Sequence, residues 1–175
     1  MQATARGFSL LEMAAVLAIT GILLAVAVPS YKDFLQRQQL RLAGDTLLQD
    51  LRSARQLSIS APTSIFVTFH AGKQWCWGVS RALPCDCSAS SASATASATA
   101  TLARCDIATS NHKQQFPAVV LDTAQDFEFT PGLGRVAKAG AAALRTPGDQ
   151  HLQVVLNMLG RAHLCGRDAP QGQAC

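Results

Sequence analysis

A single carboxylate, Glu12, stands near the start of a run from Phe8 to Val28 that carries no other charged side chain. A helix of that length covers roughly 30 Å, the thickness of a bilayer's hydrocarbon core. An ionised carboxylate is unfavourable in lipid, so its presence there calls for a partner. An available ammonium partner would supply both attraction and axial alignment. Ahead of the run, Met1-Gln2-Ala3-Thr4-Ala5-Arg6 has Arg6 as its only charged side chain, and Gly7 stands at the junction. A secretory signal places its small-residue cleavage site after the apolar core. Here the glycine comes before it.

Thiols are the second group able to do chemistry: Cys76, Cys85, Cys87, Cys105, Cys165 and Cys175. An even count in an exported chain reads as disulfides formed in an oxidising compartment. Cys85 and Cys87 are too close in sequence to bond readily to each other, so each is expected to pair outward, with Cys76 and Cys105 in one order or the other. Cys165 and Cys175 would then close a loop in the tail. No CxxC pair or paired-histidine spacing accompanies them, and no metal or cofactor is expected. The chain also lacks a Gly-rich phosphate loop, a GxSxG elbow and a His-Glu metal motif, and His70, His112, His151 and His163 are dispersed. We therefore expect no enzyme.

These groups need elements to position them. Beyond Pro29, Leu40, Gly44, Leu47, Leu51, Ala54 and Ser58 recur at helical spacing, with Leu48 and Leu57 widening the face. Arg37, Arg41, Asp45, Gln49, Arg52 and Gln56 form the opposite stripe, with Arg41 and Asp45 spaced for an ion pair. Pro62 ends the pattern. Strands are expected over residues 64–70 and 74–80, joined by Ala71-Gly72-Lys73, and over 118–122, 126–130, 135–137, 152–157 and 161–165. Met158-Leu159-Gly160 reads as a hairpin turn between the last two. Residues 88–101 are Ser, Ala and Thr throughout, a composition that makes a solvated loop. Trp75 and Trp77 flank Cys76 and so face one side of their strand, where core packing competes with a base-stacking role.

The N-terminus resembles the type IV prepilins. In that resemblance Gly7 is the leader-cleavage residue, Phe8 the first mature and N-methylated residue, Glu12 the acidic fifth mature residue that registers subunits in a filament, and Pro29 a helix-bending proline. Further along, Trp75-Cys76-Trp77-Gly78, Cys85-Asp86-Cys87, Phe127-Glu128-Phe129-Thr130-Pro131-Gly132 and Gly160-Arg161-Ala162-His163-Leu164-Cys165 resemble the GspH/FimT family of minor pilins and pseudopilins. The resemblance implies an α+β pilin fold, a long N-terminal helix packed on antiparallel sheets. The implied division is a leader (1–7), a transmembrane and filament-core helix (8–28), an amphipathic half-helix (29–61) and a β-rich domain (62–175) ending in a basic tail (160–175). It implies a subunit held in the inner membrane before joining a surface pilus, with prepilin peptidase and other major and minor pilins as partners.

Charge bears on a further partner. The formal net charge is +4, and from Arg135 onward Arg135, Lys138, Arg145, Arg161 and Arg167 outnumber Asp149 and Asp168. In FimT-type pilins a Gly-Arg-x-Arg element of the tail is implicated in holding DNA during natural transformation. Gly160 and Arg161 match it, His163 replaces the second arginine, and Arg167 adds a charge nearby. The expectation is weak, sequence-independent binding of double-stranded DNA through Gly160, Arg161, His163 and Arg167. The alternatives are a type II secretion pseudopilin contacting exported proteins, and an assembly primer or adhesin independent of DNA.

Overall fold

The computed structural model describes residues 9–72, 74–88, 103–110, 112–169 and 175. Gly7, Phe8, the expected leader, Lys73 and nearly all of the Ser/Ala/Thr stretch lie outside the described residues. Two compact units divide the chain, one reaching to Leu35 and one from Gln36 to Cys175.

Helix α1, Leu10–Ser60, runs through both units and includes Pro29. In the first unit its described side chains are exposed, among them Leu10, Leu11, Val16, Leu17, Ile19, Ile22, Leu23 and Leu24. Among the described residues this one helix is long and apolar enough to cross a membrane, by length and composition. Apolar side chains all round an unburied helix are suited to lipid or to other helices, not to water.

In the second unit α1 becomes amphipathic. Leu40, Ala43, Leu47, Leu51 and Ala54 are buried, whereas Arg37, Arg41, Asp45, Gln49, Arg52 and Gln56 are exposed. Gly44 sits on the buried face because the helix comes close to the sheet there: a Cβ would collide with the Leu152 side chain and lie 3.1 Å from that of Leu164. The last helical bond joins Ala61 N–H to the Leu57 carbonyl at 2.9 Å, one residue before Pro62. Arg41 and Asp45 form no ion pair; Arg41 Nε donates to the Asp168 carbonyl at 3.4 Å.

Ten strands follow among the described residues: β1 Ile65–His70, β2 Cys76–Arg81, β3 Cys85–Asp86, β4 Ala103–Arg104, β5 Ala108–Ser110, β6 Val120–Thr123, β7 Phe127–Phe129, β8 Gly140–Arg145, β9 His151–Leu156 and β10 Ala162–Cys165, with a one-turn helix α2, His112–Gln115, before β6. One sheet has the order β5-β2-β1-β7 and the other β10-β9-β8-β6, both antiparallel, with β3 and β4 as a small parallel pair. Ile65, Val67, Val79, Phe127 and Phe129 of the first sheet, and Leu144, Leu152, Val154 and Leu156 of the second, share one core with Leu40, Leu47 and Leu51 of α1. The helix thus closes both sheets.

Several expected boundaries move. The β1–β2 connection runs from residue 71 to 75, longer than the expected Ala71-Gly72-Lys73, because pairing ends at His70 opposite Cys76. Residues 135–137 give only a bridge between Val136 and Phe129. The alanine-rich β8 was not anticipated, since alanine favours strands poorly. Its place comes from full pairing with β9, Gly140 opposite Leu156 through Arg145 opposite His151.

The cysteines join as Cys76–Cys87, Cys85–Cys105 and Cys165–Cys175. The β1–β2 hairpin selects the first two pairs from the alternatives left open by sequence. Cys85–Cys105 spans the Ser/Ala/Thr insert, whereas both partners of Cys76–Cys87 precede it.

Candidate functional site

Ser9 sits just before α1, and its carbonyl accepts from the backbone N–H groups of Glu12 at 3.0 Å and Met13 at 3.2 Å. Glu12 is therefore the acid of the first turn, where the helix dipole favours negative charge. Ser9 and Glu12 also have the spacing of a capping box. The carboxylate stands exposed among exposed Leu10, Leu11 and Met13. In the run from Phe8 to Val28 it is the single charged side chain, a group suited to an ionic contact.

The second site is built at the far end of α1, about 34 Å along the helix from Gln36 at 1.5 Å per residue. There the β9–β10 turn meets the helix and the loop after β7. Gly160 has a φ of +71°, in the left-handed region, and its N–H closes the turn onto the Asn157 carbonyl at 2.9 Å. A Cβ on Gly160 would collide with the Gly134 carbonyl, which also accepts from Arg55 Nε at 3.2 Å. Gly132 N–H donates to the Ser58 carbonyl at 2.8 Å, fixing the loop to the helix terminus. Gly160 therefore works through its missing side chain, letting three segments meet.

Their meeting leaves a cleft of about 530 Å³ lined by Arg52, Arg55, Gln56, Ile59, Gly160, Arg161 and Ala162. Arg161 is exposed and its backbone N–H donates to Asn157 Oδ1 at 2.9 Å. Among the described residues none of the three arginines is paired with a carboxylate. Three guanidinium groups in one concavity are suited to an anion, and especially to oxygens that accept paired N–H donors.

Other expected site residues lie apart from it. On β10, Ala162 and Leu164 pack toward the core while His163, opposite Val155, is exposed on the other face. Arg167 belongs to a separate group near Asp149 and His151. His151 Nε2 and Asp149 Oδ1 are 2.9 Å apart, and this hydrogen bond, then the His151 and Arg167 charges, holds the Asp149 carboxyl below the usual range. The structure thus divides Gly160, Arg161, His163 and Arg167 among three surroundings. It also supplies Arg52 and Arg55, which sequence reading missed: Arg52 passed as part of a solvated stripe, and Arg55 lay off it. Only the docking of the β9–β10 turn reveals them.

Trp75 and Trp77 are buried, with ring centroids 5.7 Å apart, so neither offers a face to a base. Their indole N–H groups donate to the Val119 carbonyl at 2.8 Å and to Asp50 Oδ2 at 2.7 Å. Burial pushes the Asp50 carboxyl up from its ordinary range, while the Trp77 bond opposes the shift. Among the described residues no group of three or more His, Cys, Asp or Glu could hold a metal.

Residues 3–28 match the prokaryotic N-terminal methylation motif. Gly7, Phe8 and Glu12 all fall within it. The chain is also similar to the type IV major fimbrial protein FimA of Dichelobacter nodosus, 34 % identical over 74 residues. That alignment covers 37 % of this chain and 47 % of the fimbrial protein, so the chain spans about half the length of the curated relative it matches. No solved structure matches the chain. Together, the methylation motif and the long helix followed by antiparallel sheets make an α+β, type IV pilin-like architecture. The exposed apolar helix fits membrane anchoring.

Proposed function

We propose that the chain is a minor pilin of a type IV pilus, cut between Gly7 and Phe8 by prepilin peptidase, methylated at Phe8, and drawn from the inner membrane into a filament with other pilins. The observation that carries this reading is Glu12 at the head of an exposed apolar helix inside the matched motif. Pairing of Glu12 with the N-terminal amine of a neighbour would neutralise a carboxylate that lipid disfavours and set the subunit step. We assign it no catalytic role. Its added function is weak, sequence-independent binding of duplex DNA during natural transformation, with Arg161 as the principal contact. Arginines that have no carboxylate partner among the described residues, gathered in an open cleft, support it.

A second reading is a type II secretion pseudopilin that touches exported proteins. Exposed Ile59, Leu133, Met158 and Leu159, all on the segments that meet at the cleft, favour a protein contact there. Comparison of transformation, twitching and protein secretion in a strain lacking the chain separates the two. Loss of transformation with secretion intact is expected. Loss of secretion alone would replace the pilus reading with the pseudopilin one.

A further inference from the structure

We infer that the nucleic-acid contact is a clamp between helix and edge strand, in which Arg52 and Arg55 of α1 act with Arg161, and that His163 and Arg167 lie outside it. The inference rests on the DNA reading above and changes which residues perform it.

Three observations carry it. Arg52, Arg55 and Arg161 line one cleft and, among the described residues, have no carboxylate partner. Arg52 and Arg55 are three residues apart on α1, a rise of about 4.5 Å, so their charges lie along one line on the helix surface. Across the cleft, Gly160 and Ala162 form the wall beside Arg161. A row of guanidinium groups facing a small-residue wall suits a phosphodiester chain, whose oxygens repeat along its length and accept paired N–H donors. A lone carboxylate would occupy only part of such a row.

The same geometry leaves out the other tail residues, since neither His163 nor Arg167 lines the cleft. Arg55 has a second task, since its Nε holds the Gly134 carbonyl. Arg52 is exposed and makes no such bond, so it is the helix arginine that can be changed without disturbing the fold.

The test uses the full chain in a zwitterionic detergent and a short duplex DNA, titrated from 50 to 200 mM salt at pH 7.5, with sodium polyglutamate of equal charge as a comparison ligand. Arg52→Gln and Arg161→Gln should each weaken DNA binding about tenfold at 50 mM salt and lower the salt slope by about 0.9, the value for one lost phosphate contact. His163→Ala and Arg167→Gln should stay within about twofold of the parent, the range in which no contact is lost. Matching thermal transitions for parent and Arg52→Gln exclude misfolding as the cause. If the parent binds DNA and Arg52→Gln binds equally well, the clamp is wrong and the tail reading survives. If the parent shows no binding at 50 mM salt, the DNA reading fails and takes the clamp with it. Polyglutamate binding as tight as DNA would overturn the phosphate assignment in favour of an acidic protein partner.

Discussion

Asp50 carries a half-buried carboxyl whose hydrogen bond comes from Trp77. Its folded-state pKa is raised, chiefly by desolvation, so its contribution to stability is present below the unfolded value and is lost as pH rises through the folded one. Above its folded-state pKa the ionised group therefore weakens the fold. Asp50→Asn keeps an oxygen acceptor for the indole N–H and removes the charge. It should raise the melting temperature at pH 7, by an amount that solvent screening of this half-exposed carboxyl keeps small, and the gain should vanish toward pH 4. A pH-independent gain, or none, would remove desolvation as the cause. Gly160 gives the opposite case. Gly160→Ala places a Cβ at positive φ and against the Gly134 carbonyl, and should destabilise by about 2 kcal/mol or more. Melting as stable as the parent would show that the turn can withdraw from the helix without loss.

At the scale of elements, Cys76–Cys87 joins the start of β2 to the residue after β3, and Cys85–Cys105 joins β3 to the residue after β4. Replacing Cys85 and Cys105 together by serine frees a loop of 20 residues' separation and should reduce stability by about 3 kcal/mol. Non-reducing peptide mapping should recover Cys76 with Cys87, Cys85 with Cys105, and Cys165 with Cys175. Recovery of Cys76 with Cys85 would contradict the hairpin geometry. The same region shows what a linear chain discloses. The half-helix was legible because Leu40, Leu47, Leu51 and Ala54 repeat at helical spacing, and the β9–β10 hairpin because Gly160 follows Met158 and Leu159 between apolar strands. The pairing of Cys85 and Cys87 was not, since it depends on which strand lies beneath each thiol. Strand β8 was hidden because Ala141, Ala142 and Ala143 carry no strand pattern of their own and are held by the partner strand. The arginine cleft was hidden for a related reason: Arg52 and Arg161 are brought together by tertiary docking alone.

For the whole molecule, an apolar run with Glu12 as its single charged side chain precedes a disulfide-stapled unit whose Arg52, Arg55 and Arg161 have, among the described residues, no carboxylate partner. Glu12→Ala removes a charge that lipid disfavours, so membrane insertion should be intact, while recovery in sheared filaments should fall at least tenfold if the pairing aligns subunits. Normal recovery would assign Glu12 to its first-turn role in the helix alone. Both outcomes presuppose that the amine at Phe8 exists, because an uncut leader would place other residues between Glu12 and any terminal ammonium. Mass spectrometry of the mature N-terminus from membrane and filament fractions is therefore the most direct measurement. The account predicts a chain beginning at N-methylated Phe8, whereas an intact Met1, or a cut beyond Val28 that releases the β unit from the membrane, would contradict it.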